Sequence, residues 1–378
     1  MMRSLIFSPS NTIVFIMVAL IPFSYFDIFG VRVIGLCLFL FVALFFLSPK
    51  FSISVDNNVW LFLLPFFMVL SFSLASGSKD FLSAIVFFVY LLIFYFFDVS
   101  KLSAVVNKSC FVYLYGAVFM AVGVILQRIS FEKFGYEFGK IDVYGGGRVG
   151  FGFLWMDYSF LSLYLVSTLP LVFYLYRSVC VKAIVVIILL VGSVVTTART
   201  GLAALVLTTV FIAGLEFAKA IVIGKARKQV FLVLLSLLFA SLLIIYFYVE
   251  FSSRTIRFDS SGRIDGFYLG FKSFLDNPFT GVMFDRSYFL EEYGTIPHNL
   301  LVYILSQGGI LLFIVFFIWF FYVFFVAAFR VNLFRYPIII SVFGFMFIPS
   351  FFSAYYFALL ISFSMAEKRI MAKGLGQK

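Results

Sequence analysis

The chain has 378 residues, of which 64% are apolar and 12% charged, and it carries a formal net charge of +11. Soluble domains are roughly 45–50% apolar and about 25% charged, so the composition excludes a water-soluble core. It also argues against nucleic-acid binding: no basic, aromatic-interleaved soluble module is present, and basic residues flanking membrane spans account for the charge.

A membrane helix needs about 20 mostly apolar residues. Twelve segments come near that length, at 11–28, 32–48, 59–75, 81–97, 109–126, 158–176, 183–198, 201–217, 230–249, 308–329, 336–351 and 353–366. The pattern predicts an all-α polytopic membrane protein of about 12 transmembrane helices, with residues 1–378 forming one membrane domain. The N-terminal apolar run lacks a small-residue cleavage site and reads as a retained first span. Cys37, Cys110 and Cys180 fall in two spans and one short connection, so neither a disulfide framework nor a CxxC metal site is visible.

Lys and Arg in short loops favour the cytoplasmic side. With twelve spans the termini share a side, and that side holds 16 basic residues against 3 opposite, so both termini are expected in the cytoplasm. Two long loops, 127–157 and 250–299, then face outward, as does the turn Ala198-Arg199-Thr200-Gly201. The inward cluster Gly224-Lys225-Ala226-Arg227-Lys228 lacks the full phosphate-loop pattern and reads as a positive-inside anchor.

The loop 250–299 is the main polar stretch of the chain and holds its one histidine, His298, with Arg254, Arg257, Arg263, Lys272 and Arg286. Within it, 262–277 reads as a short amphipathic helix lying at the membrane surface, with Phe267, Phe271 and Phe274 recurring at helical spacing and Asn277-Pro278 as a stop. A second helix is expected to start after Pro297-His298-Asn299, with Gln307-Gly308-Gly309 interrupting the run that follows. Helix starts offer free N–H groups and a positive dipole end.

Arg199 interrupts an otherwise uncharged stretch, 191–210, and an arginine at membrane depth usually faces a cavity or a partner. The alternative is that it ends a helix and snorkels to the interface. Thr196, Thr197 and Thr200 beside it have hydroxyls suited to phosphate oxygens. Arg263 is a second anion-binding candidate, since guanidinium groups contact phosphate oxygens in bidentate fashion. His298 is a candidate general base, because a free imidazole titrates near pH ~6.5. Gly145-Gly146-Gly147 makes a flexible turn from which Arg148 can reach an anionic ligand, although an ordinary loop is the favoured explanation of these residues. Glu291 and Glu292 have no second histidine to complete a site, so no metal is expected.

Three motifs occur in order: Ala198-Arg199-Thr200-Gly201; Gly262-Arg263 followed by Asn277-Pro278-Phe279-Thr280-Gly281; and Pro297-His298-Asn299 leading into Gly308-Gly309. This set resembles the membrane superfamily of O-antigen polymerases and O-antigen ligases. The resemblance implies a C-type glycosyltransferase fold with a large, partly helical periplasmic loop, in the bacterial inner membrane. It implies inverting glycosyl transfer from an undecaprenyl-diphosphate-linked oligosaccharide at the periplasmic face, without cofactor or divalent metal. On that model Arg199 and Arg263 hold the donor diphosphate and His298 activates or positions the acceptor hydroxyl. Arg148, Thr200, Asn299, Arg254 and Arg257 are the further substrate-binding candidates, and the expected partners are membrane lipid and a chain-length regulator protein. Ligases typically continue the histidine motif to Gly, Thr or Tyr, where this chain has Leu312, and carry an Arg-x-x-x-Leu pattern where it has Ala203. Both departures favour a polymerase over a ligase; a capsule or exopolysaccharide polymerase and, from another class, a lipid or polysaccharide transporter are the remaining readings.

Overall fold

The computed structural model describes residues 8–28, 31–47, 59–78, 80–97, 99–144, 148–223, 263–329, 333–348 and 351–375, with isolated helical positions between 231 and 245. These residues are mostly helical. The helices are α1 (Pro9–Ala19), α2 (Leu36–Leu47), α3 (Val59–Ala75), α4 (Asp80–Leu92), α5 (Val99–Phe134), α6 (Tyr158–Leu175), α7 (Val179–Val195) and α8 (Thr200–Ile223). They continue with α9 (Arg263–Asp276), α10 (Arg286–Tyr293), α11 (Leu300–Phe329), α12 (Arg335–Phe345) and α13 (Tyr355–Leu375). Two hairpins complete the set, β1 (Asp27–Ile28) with β2 (Val31–Arg32) and β3 (Lys140–Tyr144) with β4 (Arg148–Phe153).

Among the described residues four helices are long and apolar enough to cross a membrane: α5, α6, α8 and α11. Several of the expected spans are shorter. The segment 11–28 gives only the 11-residue α1, capped by Ser8 with Pro9 in its first turn. At 1.5 Å per residue that is about 16 Å, against a hydrocarbon core of about 30 Å. Pro22 is the cause, since a proline cannot continue the ladder and bends the chain into a 3-10 turn at Ile21–Phe23. The segment 336–351 likewise gives the 11-residue α12. In contrast α5 runs for 36 residues where 109–126 was expected. Its ends carry Lys101, Lys108, Arg128, Glu132 and Lys133, and an Arg128–Glu132 pair at 2.6 Å supports the last turns. The segment 230–249 lies almost wholly outside the described residues.

The chain divides into two compact units. In the first, comprising residues 1–116, 259–338 and 345–378, abundant phenylalanine makes an aromatic core. Phe351 is fully buried and meets Phe87, Phe345, Phe316 and Trp319 at ring distances of 4.9, 5.1, 5.3 and 5.7 Å. Polar groups tie its helices together: the Tyr90 hydroxyl donates to the Met17 carbonyl at 2.7 Å, and Arg369 donates to the carbonyls of Phe94 and Phe97 at 3.1 and 3.4 Å.

The second unit, residues 117–258 and 339–344, is built round α6, whose residues 160–169 are all buried. Small side chains let its neighbours approach. Ser162 and Ser193 share a hydroxyl hydrogen bond of 2.8 Å, and a Cβ on Gly201 would strike Ser162. The expected loop 127–157 differs most from the sequence reading. It opens with two further turns of α5 and continues as the β3–β4 hairpin. Gln127, fully buried in α5, holds that hairpin: its amide donates to Phe138 O at 2.6 Å and Lys140 O at 3.1 Å, and its carbonyl accepts from Phe153 N at 2.8 Å. Gln127→Leu keeps the volume and orphans these groups, so it should lower stability by about 2 kcal/mol. A thermal melt within experimental error of wild type would refute this.

Candidate functional site

Arg199 lies at the tight turn between α7 and α8. Its backbone carbonyl accepts from Ala203 N at 2.9 Å, which makes it the residue from which α8 starts, and its side chain is half-buried. The turn is organised by its threonines. Thr196 donates from its hydroxyl to Ser193 O at 2.7 Å and accepts from Ala198 N at 3.2 Å. Thr197 adopts a left-handed φ of 62°, uncommon for a β-branched residue, and donates to Val149 O of β4 at 3.0 Å. These two hydroxyls therefore serve the fold, and the turn is docked on the hairpin that carries Arg148. Arg148 stands opposite Tyr144 in that hairpin, and Gly145–147 fall outside the described residues. Thr200 is buried in the first turn of α8.

Asp157 caps α6 in the same unit. Its carboxylate accepts from the backbone N–H of Ser159 at 2.8 Å and of Phe160 at 3.1 Å. Burial pushes its carboxyl above the usual range despite those bonds, and the charge of Asp142 adds to the effect. A carboxyl raised in the folded state makes the wild type more stable as pH falls through that raised value towards its unfolded one. Asp157→Asn keeps an acceptor at the cap and removes the charge, so it should match or exceed wild type at pH 7, with its advantage shrinking in acid. Asp157→Ala should cost about 1 kcal/mol. A melt series ranking Ala at or above Asn would contradict this assignment.

The other candidates lie in the first unit, on a stretch that closes on itself. The expected amphipathic helix is α9, and it has three faces. Asp265, Lys272 and Asp276 form a polar face. Ile264, Phe267, Tyr268, Phe271 and Leu275 form an exposed apolar arc. Gly266, Gly270 and Ser273 form the buried face, because only small residues fit there: a Cβ on Gly266 would lie 3.3 Å from Ile296 O, and one on Gly270 would press into Pro297 and Val302. Gly266 thus faces Ile296-Pro297 while Gly270 faces Pro297 and Val302, so α9 and the start of α11 run side by side in the same direction. Arg263 opens α9 one turn before Gly266, about 4.5 Å along the axis. His298 directly follows Pro297. Two helix starts, one beginning with Arg263 and one preceded by His298, therefore sit at the same end of this bundle.

Asn299 is the N-cap of α11. Its side-chain oxygen accepts from Leu301 N at 3.0 Å and Val302 N at 3.2 Å, and its amide donates to Met346 O at 3.3 Å. His298 is half-buried beside it. Arg254 and Arg257 lie outside the described residues. Below, Val282, Phe289 and Tyr293 with Leu269 and Ile296 make a small core under α10. The Tyr293 hydroxyl donates to Asp276 at 2.8 Å, and burial together with that carboxylate pushes the phenol up to about 12. The sequence reading did not single out this pair, which has no short-range signature across 17 residues.

Gly309 breaks α11, as the glycine pair suggests, with φ 62° and ψ −169°. What the sequence does not reveal is the segment that occupies the break. Val282 N donates to Ser306 O at 3.1 Å, Phe284 N to Gln307 O at 3.3 Å, and Ile310 N to Pro278 O at 2.9 Å. Among the described residues no cluster of three or more metal-ligating side chains occurs.

The described residues are thus mostly helical, with four helices long and apolar enough to cross a membrane, consistent with an all-α membrane protein. No protein-family model matches the chain, and no curated protein matches it.

Proposed function

We propose that the chain is an O-antigen polymerase, an inverting glycosyltransferase that moves a growing glycan from undecaprenyl diphosphate onto the next lipid-linked repeat unit at the periplasmic face of the inner membrane. The observation that carries this reading is the seating of α9 on Ile296-Pro297 by Gly266, which brings the Arg263 helix start beside His298. Two parallel helix starts with an arginine and a histidine suit a diphosphate and a hydroxyl that must lose a proton. In the proposed reaction the His298 imidazole takes the proton of the acceptor hydroxyl, whose oxygen forms a bond to the anomeric carbon. The bond from that carbon to the diphosphate breaks with inversion, and Arg263 balances the charge of the leaving diphosphate; Arg199 is carried as a second candidate for that charge on the family resemblance alone.

We further infer the twelve-span arrangement with both termini cytoplasmic. The exposed apolar arc of α9 supports its lying at the membrane surface, with Lys272 on the polar side. The test is the lipopolysaccharide pattern of a deletion strain. A polymerase predicts lost long chains with single-unit-capped lipopolysaccharide retained. Loss of both forms would instead indicate a ligase, and build-up of lipid-linked units on the cytoplasmic side a transporter; either would overturn the proposal.

A further inference from the structure

A helix broken inside an apolar segment leaves carbonyls and N–H groups that lipid cannot satisfy, so broken backbone persists only where protein or a polar cavity covers it. The break at Gly309 is covered by residues 278–284, whose three hydrogen bonds take up Ser306 O, Gln307 O and Ile310 N. The fit is reciprocal. A Cβ on Gly309 would collide with the backbone of Phe279 and Thr280, and one on Gly281 would collide with Ser306 O and the peptide that follows. Met283 and Phe284 hold a costly left-handed conformation to make this fit, with φ of 53° and 64°, while Gly281, at a φ of 57°, adopts it freely. Phe284 is fully buried, edge-on to Tyr303 at 6.3 Å and to Phe352 at 6.1 Å. Left-handed conformations at non-glycine residues persist only where the surroundings over-determine them.

The connectivity gives this lock a consequence. The chain passes from α9 through 278–284 to α10 and then His298, continues as the half-helix 300–308, and meets 278–284 again at the break. The half-helix is held at its start by the Asn299 cap, along its side by α9, and at its end by this segment. We propose that residues 278–284 are a positioning strap, with Gly281 and Gly309 as positioning residues, that holds the half-helix 300–308 and so sets where His298 presents its imidazole. Its part in catalysis rests on the role given to His298 above; the mechanical coupling does not.

The chain's one histidine makes the coupling directly observable. The full chain, carrying a purification tag without histidine and labelled in histidine, is placed in lipid nanodiscs, and the imidazole cross-peaks are followed through a pH titration. Because Gly281→Ala strikes backbone and endangers the fold, Phe284→Leu is run beside it, and Phe39→Leu on the exposed face of α2 is the control. Glycan ladders are recorded for the same variants. The strap predicts displaced His298 cross-peaks and an altered titration in Gly281→Ala and Phe284→Leu, with Phe39→Leu superimposing on wild type, and shortened ladders wherever the cross-peaks move. Unchanged His298 signals in folded Phe284→Leu would overturn the strap whatever the ladders show. Displaced signals with full ladders would uphold the strap and overturn the catalytic role of His298.

Discussion

Gly309→Ala should be strongly destabilising. Its φ of 62° with ψ −169° belongs to a region that is essentially glycine-only. An added Cβ would also collide with Phe279 and Thr280, whose backbone is pinned by the bond from Ile310 N to Pro278 O. Conformational cost and collision together should remove about 3 kcal/mol or more, a large part of a typical folding free energy. The control is Gly294, which closes α10 with a φ of 75° but has open space where a Cβ would point. Gly294→Ala should cost only about 1 kcal/mol. Melts of the two variants in the same detergent test the contrast, and equal losses would mean that positive φ alone, without the strap, explains the glycine at 309.

Arg263→Ala and Arg199→Ala should each reduce glycan transfer by about 10²- to 10³-fold, the usual effect of removing one preorganised donor from a developing negative charge. Lysine at either position should recover only part of the loss, since a point charge cannot make the two-pronged contact of a guanidinium. Folding should be unaffected at Arg263, which opens a helix whose seating is done by Gly266 and Gly270. Chain-length distributions in complemented cells, normalised to protein level, measure this. Normal ladders from both alanine variants would remove the diphosphate assignment.

The helices were legible where composition alone decides. The segments 59–75 and 158–176 became α3 and α6 almost residue for residue, because each is a long, uncharged, mostly apolar run, in which Pro65 and Pro170 are accommodated inside the helix. Reading hydropathy alone misjudged α1, which Pro22 cuts short, and α5, whose charged ends extend as helix beyond the apolar stretch. The β3–β4 hairpin was present in the sequence as alternation in Lys140-Ile141-Asp142-Val143 and Arg148-Val149-Gly150-Phe151 on either side of three consecutive glycines. A search tuned to bilayer-length runs passes over it.

In the site, α9, the Asn299 helix start and the break at Gly309 follow from local rules of capping, periodicity and glycine conformation. The pairing of 278–284 with 306–310 does not, because its hydrogen bonds join backbone groups that every residue carries. Nor did the aromatic spacing of α9 show which face the protein buries. Periodicity marked the phenylalanines, while the packed face is the glycine one, since close backbone approach selects for the absence of a side chain.

The central claim is that His298 serves the acceptor hydroxyl in glycan polymerisation, and the lipopolysaccharide banding pattern of a deletion strain complemented with His298→Ala tests it most directly. The account predicts membrane-inserted protein at wild-type level, single-unit-capped lipopolysaccharide and no long ladder, from a rate reduced by about 10²- to 10⁴-fold. A normal ladder from that variant would contradict it.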